Sequence, residues 1–325
     1  MSVARPRTRV ALGASSAVVA ALVFSAGVRS AERPGRTPEG RPDLQGLWLN
    51  DTATPLERPR EIGDQAFFTP AEAREYERHY LLDRTIALSH GDPSFELQAA
   101  GDLDTYEPGH MLPGGRTSII TDPPDGRVPP LTPEAQRRTS DRAAYLKDHY
   151  ADNPEDLTNP DRCLVVGNAS VPPMLPVFYN NGVQIVQTRD YVMILSEMIH
   201  DARVISFSRR EHLPSAIREW KGDSIGRWEG DTLVVDTTNF TDKTPFRGAS
   251  SALHVVERIT LDDADTLRYR FTIDDPSSFA RPWSGESLMT RTSGRIYEYA
   301  CHEANYSMPN VLRGARVAEH ESSNR

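Results

Sequence analysis

Glu257 is the residue whose position most invites chemistry. Between Leu253 and Leu261 it alternates with Leu253, Val255, Ile259 and Leu261, so in a strand it shares their apolar face. A carboxylate there is either matched by a cation or kept protonated, because an unpaired buried charge is prohibitively costly. The first state makes it half of a buried ion pair with an Arg from a neighbouring strand. The second makes it a general acid or base in a barrel cavity. A second cluster places Glu197, His200, Asp201 and Arg203 around one turn. Glu197 alternates with Tyr191, Met193, Leu195 and Ile199 and is expected among apolar neighbours. Histidine is the side chain suited to proton transfer near neutral pH, the role His200 would take. Asp201 beside it can orient the ring, and Arg203 can hold an oxyanion or carboxylate. A capped hairpin with a surface salt bridge would use the same residues. The expectation is that Glu257, Glu197 and His200 meet in one interior, with Arg203 and His302 at its rim.

Other residues are assigned to ligand contact. His302 ends an expected strand, Ile296–His302, where a structural hydrogen bond to a carbonyl is the alternative. Tyr179 precedes the first strong hairpin and can donate to a ligand. Trp228 and Trp283, with Trp220, either line an apolar cavity or fill a core. Cys163 and Cys301 are the chain's only cysteines. In an exported protein such a pair is expected to form a disulfide, worth roughly 5 kcal/mol in the chain-entropy model for a loop of 138 residues; the alternative is a nucleophilic Cys301 with His302 beside it.

The elements that would hold these groups are mostly strands. Thr266–Ile273 is a clear case, with Leu267, Tyr269, Phe271 and Ile273 on one face and Thr266, Arg268, Arg270 and Thr272 on the other. Further strands are expected at Leu44–Asn50, Ser118–Thr121, Val183–Thr188, Tyr191–Ile199, Arg203–Ser208, Gly226–Trp228, Leu233–Thr238, Leu253–Leu261 and Glu286–Thr292. Short connections make sequential strands antiparallel. At least eight of them close most easily as a barrel, so the fold class is mainly β and antiparallel. Two helices are expected, one from Thr69-Pro70 to about Leu82 and one at about 132–149, opened by Thr132-Pro133-Glu134. Residues 83–116 are expected to be mostly loop.

The chain has 325 residues, 38% hydrophobic and 26% charged, with 25 Pro that call for long extended loops. Its net charge is −9. Residues 1–30 hold four Arg and no acid, so the remainder carries −13. That balance excludes nucleic acid and anionic lipid as partners. Arg5, Arg7 and Arg9 precede an apolar, small-residue stretch from Val10 to Val28, the pattern of a removable secretory leader, with a single membrane anchor as the alternative. The organisation expected is therefore a signal peptide at 1–30, an extended N-terminal segment at 31–116 and a β-barrel domain at 117–325. No later segment reaches the roughly 18 apolar residues of a membrane span, so the mature protein is expected to be secreted or periplasmic.

The segments NNGVQIVQTRDYVMILSEMIHDARVI, GDSIGRWEGDTLVVDTTNFTDKTPFRG and YEYACHEANY resemble a family of uncharacterised, secreted bacterial proteins across roughly residues 117–317. That resemblance implies export but supplies no catalytic residues. Gly46-x-Trp48 is similar to the opening of a lipocalin barrel, which makes a lipocalin- or calycin-like architecture the analogy for the fold.

Several chemistries lack their motifs. There is no H-E-x-x-H, C-x-x-C, phosphate-binding glycine loop, G-x-S-x-G or EF-hand spacing. No metal or other cofactor is expected. Two functions remain. One is a cofactor-independent acid–base enzyme of isomerase, cyclase or lyase type acting on a small, largely apolar molecule. The other is a secreted carrier for such a molecule, with the same cavity and no turnover.

Overall fold

The computed structural model describes residues 35–89, 110–165, 171–177, 179–243, 246–303 and 305–323, with residues 81–89 as backbone only. The leader expected at 1–30 lies outside the described residues, as do residues 90–109 of the expected loop. The described chain holds ten strands: β1 (Gly46–Leu49), β2 (Ile120–Asp122), β3 (Gly182–Gln187), β4 (Tyr191–Ser196), β5 (Asp201–Ser206), β6 (Asp223–Glu229), β7 (Thr232–Thr238), β8 (His254–Leu261), β9 (Thr266–Asp274) and β10 (Trp283–Arg291). Nine form a ring in the order β1-β3-β4-β5-β6-β7-β8-β9-β10, closed by the pairing of β1 with β10, and β2 is added alongside β10. The fold is therefore a mainly β, closed barrel. One seam is parallel: β5 meets β6 through Ser206 and Ile225 alone. Residues 207–222 between them supply the dozen or more residues that a parallel return requires, so the expectation of a wholly antiparallel sheet fails at this one place.

The strand pattern explains the ring. On β9, Leu267, Tyr269, Phe271 and Ile273 are buried in the core, while Arg268 and Arg270 pair with Glu286 of β10 on the outer wall. Trp48 of β1 and Trp283 of β10 are fully buried. Trp283 sits edge-on to Phe271 and Phe279. One end of the barrel is covered by residues 171–177, whose Val171, Met174 and Leu175 join the core. There the Met174 carbonyl accepts from Asn50 Nδ2 at 3.3 Å.

Helix α1 (Pro70–Ser89) starts at a reciprocal cap: the Thr69 amide donates to Glu72 Oε2, and Thr69 Oγ1 accepts from the Glu72 amide. Helix α2 (Pro133–Asp148) is capped by Thr132, whose side chain accepts from the Ala135 amide. Both begin where their Thr-Pro signals place them, and α1 runs further than Leu82.

Four expectations are corrected. The N-terminal segment is not a separate decoration, because β1 closes the ring between β3 and β10. Ile296–His302 is not a strand. The second edge of β10 is already taken by β1 and β2, so another strand there has no partner. Strand β4 stops at Ser196, since Ile199 and His200 take positive φ of 63° and 54° and turn the chain. Finally, a third helix, α3 (Ser307–Ser323), follows without a buried residue of its own. It is held by Arg316, which donates to the carbonyls of Ala151 and Asp152 at 3.0 Å each.

Candidate functional site

The barrel wall carries Glu257 inward, as its alternation requires, and there it is paired. Its carboxylate accepts from Arg203 Nη1 at 2.6 Å and Nη2 at 2.8 Å, a two-pronged bond across the interior from β8 to β5. Arg203 and Glu257 side chains retain 5% and 0% exposure. The Tyr269 hydroxyl donates to Glu257 Oε1 at 2.9 Å and accepts from the Met174 amide at 2.8 Å. Burial pulls the Arg203 guanidinium down, but the charge and bonds of Glu257 outweigh it and the net direction is up. Burial, and then the Glu257 charge, hold the Tyr269 phenol well above its ordinary value. Of the two states open to Glu257, the ion pair is the one formed. Arg203 is thus not at a rim; it is the interior partner.

Glu197 does not join them. The inward residues of β4 are Val192, Ile194 and Ser196, so the residues that share the Glu197 side, from the exposed Tyr191 to the half-buried Met193 and Leu195, face outward. The two carboxylates therefore lie on opposite sides of the wall, and the expected shared interior site is not formed. Glu197 instead accepts from the Gly182 amide at 3.1 Å and the Tyr297 amide at 3.4 Å. It ties the start of β3 to the segment after β10. His200 is exposed. Asp201 opens β5 opposite Ser196, on the face that carries Arg203, and its carboxylate takes a bond from Lys221. His302 is exposed in the turn after Cys301, and Tyr179 stacks against Tyr299 with ring centroids 6.5 Å apart. Trp283 is core. Cys163 and Cys301 form a disulfide with Cα atoms 5.8 Å apart.

Of the residues expected to contact a ligand, Trp228 lines a cleft. At the barrel end opposite residues 171–177, a cleft of about 470 Å³ opens between the N-terminal segment, the β3–β4 turn and the β5–β6 seam. Its floor and walls include Gln187, Phe207, Gly226 and Trp228, and its rim carries Arg41, Arg189, Arg210 and Arg227. Each part has a local cause. Gln187 bonds across the end of the barrel, accepting from the Leu44 amide at 2.9 Å and donating to the Pro42 carbonyl at 3.1 Å, which holds Arg41 over the mouth. Arg41 lies 5.8 Å from the centre of the Trp228 ring. Gly226 has no side chain because a Cβ there would come within 2.6 Å of the Phe207 ring and 2.8 Å of Ile205. With glycine, Phe207 tilts against Trp228 with centroids 6.3 Å apart. The cleft exists because β5 and β6 part at their single parallel bridge.

Behind this seam lies a network that the residue patterns did not single out. His212 Nδ1 meets Asp223 at 3.0 Å and its Nε2 meets Asp236 at 3.0 Å. His254 Nε2 meets the same Asp236 oxygen at 3.0 Å, and Arg209 bonds to Asp223. Burial pushes Asp223 up, but bonds from Arg209, the Leu213 amide and His212 bring it below the usual carboxylate range. The bond to Asp236 raises His254, and the bond from His254 lowers Asp236. The network pins residues 207–213 onto the outer wall of β6 and β7. Among the described residues, no group of three or more His, Cys, Asp or Glu is placed to hold a metal ion.

Fold and site together define a mainly β barrel with a disulfide-tethered C-terminal region and a cationic, aromatic cleft at one mouth. Comparison with protein-family models, with curated proteins and with solved structures found no match in any of the three.

Proposed function

We propose that the protein binds a small organic molecule in the cleft at the barrel mouth, as a carrier or receptor rather than an enzyme working through Glu257. The observation behind this is the cleft itself, whose roughly 470 Å³ suits a small ligand and whose walls join aromatic surface to fixed polar groups. The acid–base reading needs a carboxylate whose oxygens can reach a substrate, whereas both oxygens of Glu257 are taken by Arg203 and Tyr269. Export belongs to the same proposal. The disulfide suits an oxidising compartment, and no helix among the described residues is long and apolar enough to cross a membrane. The test is a thermal-shift screen of neutral, cationic and anionic small molecules, with each hit repeated on Trp228→Ala. Hits that raise the melting point of the parent and lose that effect in the variant support the reading. No hits, or hits that act equally on Trp228→Ala, overturn it.

A further inference from the structure

Resting on that reading, we infer that the ligand of the mouth cleft is a flat aromatic ring carrying two negative charges. Many arginines among the described residues are matched to carboxylates, as Arg203, Arg209, Arg258, Arg268 and Arg270 show. The cleft gathers three that are not. Arg227 is matched by Glu229, but Arg41, Arg189 and Arg210 have no hydrogen bond or ion pair to a carboxylate among the described residues. Asp231, whose charge also interacts with Arg41, is bonded to Arg36 at 2.7 and 3.0 Å. Glu39 is the single acid lining the cleft. Three unmatched guanidinium groups against one carboxylate leave an excess of two positive charges. Holding like charges together in one concavity is unfavourable until an anion enters, and guanidinium forks match carboxylate and phosphate oxygens in pairs.

The three cations also come from three different elements: Arg41 from the N-terminal segment, Arg189 from the β3–β4 turn and Arg210 from the β5–β6 connection. They converge because the barrel mouth gathers these segments, not because they are neighbours in sequence. The aromatic part of the inference rests on the Trp228 ring, half-buried with Arg41 already over it, and on Phe207, which Gly226 admits to the floor. A planar ring lies flat on such a surface while its anionic groups reach the rim. Aromatic dicarboxylates and aryl phosphates share this chemistry.

The experiment is a titration of the intact protein followed by tryptophan fluorescence, with phthalate, phenyl phosphate, benzoate, dimethyl phthalate and succinate as probes. Trp228→Phe identifies which signal comes from the cleft. Phthalate or phenyl phosphate should bind, and which of them is tighter tells carboxylate from phosphate. Benzoate should bind about tenfold more weakly, and dimethyl phthalate and succinate more weakly still. Raising salt should weaken the dianions most. Arg189→Gln and Arg210→Gln should each lower dianion affinity by about tenfold without moving the melting point, since both side chains are exposed. Equal affinity of dimethyl phthalate and phthalate, or unchanged phthalate affinity in the Arg189→Gln/Arg210→Gln double variant, overturns the dianion while the cleft stands. Failure of all five probes, when other small molecules do change the Trp228 signal, has the same meaning. If no compound changes that signal, the dianion and the binding reading fall together.

Discussion

Glu257→Gln separates a structural carboxylate from a catalytic one. The substitution keeps the shape of the side chain and removes its charge. Arg203 then remains in the interior with 5% exposure and no counter-charge. Removing one partner of a buried pair costs about 3–5 kcal/mol. At about 2–4 °C per kcal/mol for domains of 150–250 residues, the melting point should fall by about 6–20 °C. Arg203→Met combined with Glu257→Leu removes both charges. Apolar replacement of a buried pair is neutral or stabilising by about 1–4 kcal/mol. The Tyr269 hydroxyl, which loses its acceptor, takes back about 1–3 kcal/mol of that. The double variant should therefore melt above both single variants, Arg203→Met included. Thermal and urea unfolding of the parent, Arg203→Met, Glu257→Leu and the double variant, followed by circular dichroism, gives the coupling as a cycle. A Glu257→Gln protein within about 1 kcal/mol of the parent would refute the reasoning, as would a double variant whose loss equals the sum of the singles.

Three further outcomes follow from the geometry. Denatured without reductant, the protein should show no reactive thiol, and Cys163→Ser/Cys301→Ser should lose up to roughly 5 kcal/mol of stability, the value for the 138-residue separation; two titratable thiols in the parent would remove the disulfide. Gly226→Ala should destabilise by about 1–3 kcal/mol, because its Cβ meets Phe207 and Ile205 at 2.6 and 2.8 Å; an unchanged urea midpoint would show that the floor is looser than described. For the His254–Asp236 pair, the raised imidazole contributes stability that is present below about pH 6.5 and fades as pH rises through the raised value. The lowered carboxylate contributes stability that is present above about pH 3.9 and fades as pH falls through the lowered value. The melting-point difference between the parent and Asp236→Asn should therefore be largest between about pH 4 and 6.5 and shrink toward alkaline pH. Both side chains are partly exposed, so the effect is modest, and a difference flat from about pH 5 to 9 would refute it.

Alternation along single strands made most of the ring legible. Leu267, Tyr269, Phe271 and Ile273 fall on the core face, and Glu257 is inward among apolar neighbours, because a period of two is a property of one segment. The same rule misplaced Glu197. Tyr191, Met193 and Leu195 are as apolar as Val192 and Ile194, so alternation cannot say which side of β4 is the inside, and the true inward face ends in Ser196. Pairing partners were harder still. That Glu257 would find an Arg was one of the two states its burial allowed, but that the Arg is Arg203 depends on which strands stand across the interior.

The cleft and the His–Asp network depend on a feature that no local pattern expresses. Had β5 and β6 been joined by a tight turn, they would pair antiparallel along their length and the wall would be sealed. The longer connection, residues 207–222, brings β6 back parallel to β5 and leaves one bridge, Ser206 to Ile225. Strands so weakly joined part toward the mouth, and the space between them is filled from the connection: Phe207 drops against the bare backbone of Gly226, and Arg210 stays on the rim. A connection that carries so many charges needs fixing to the wall. Asp223 and Asp236 do this by gripping Arg209 and His212 from two adjacent strands. The network behind the seam and the cleft at its mouth are therefore two consequences of one topological choice. It follows that His212→Gln, which breaks the double grip without touching the cleft lining, should weaken binding at Trp228 by loosening residues 207–213, with dianions and neutral molecules losing affinity in the same proportion.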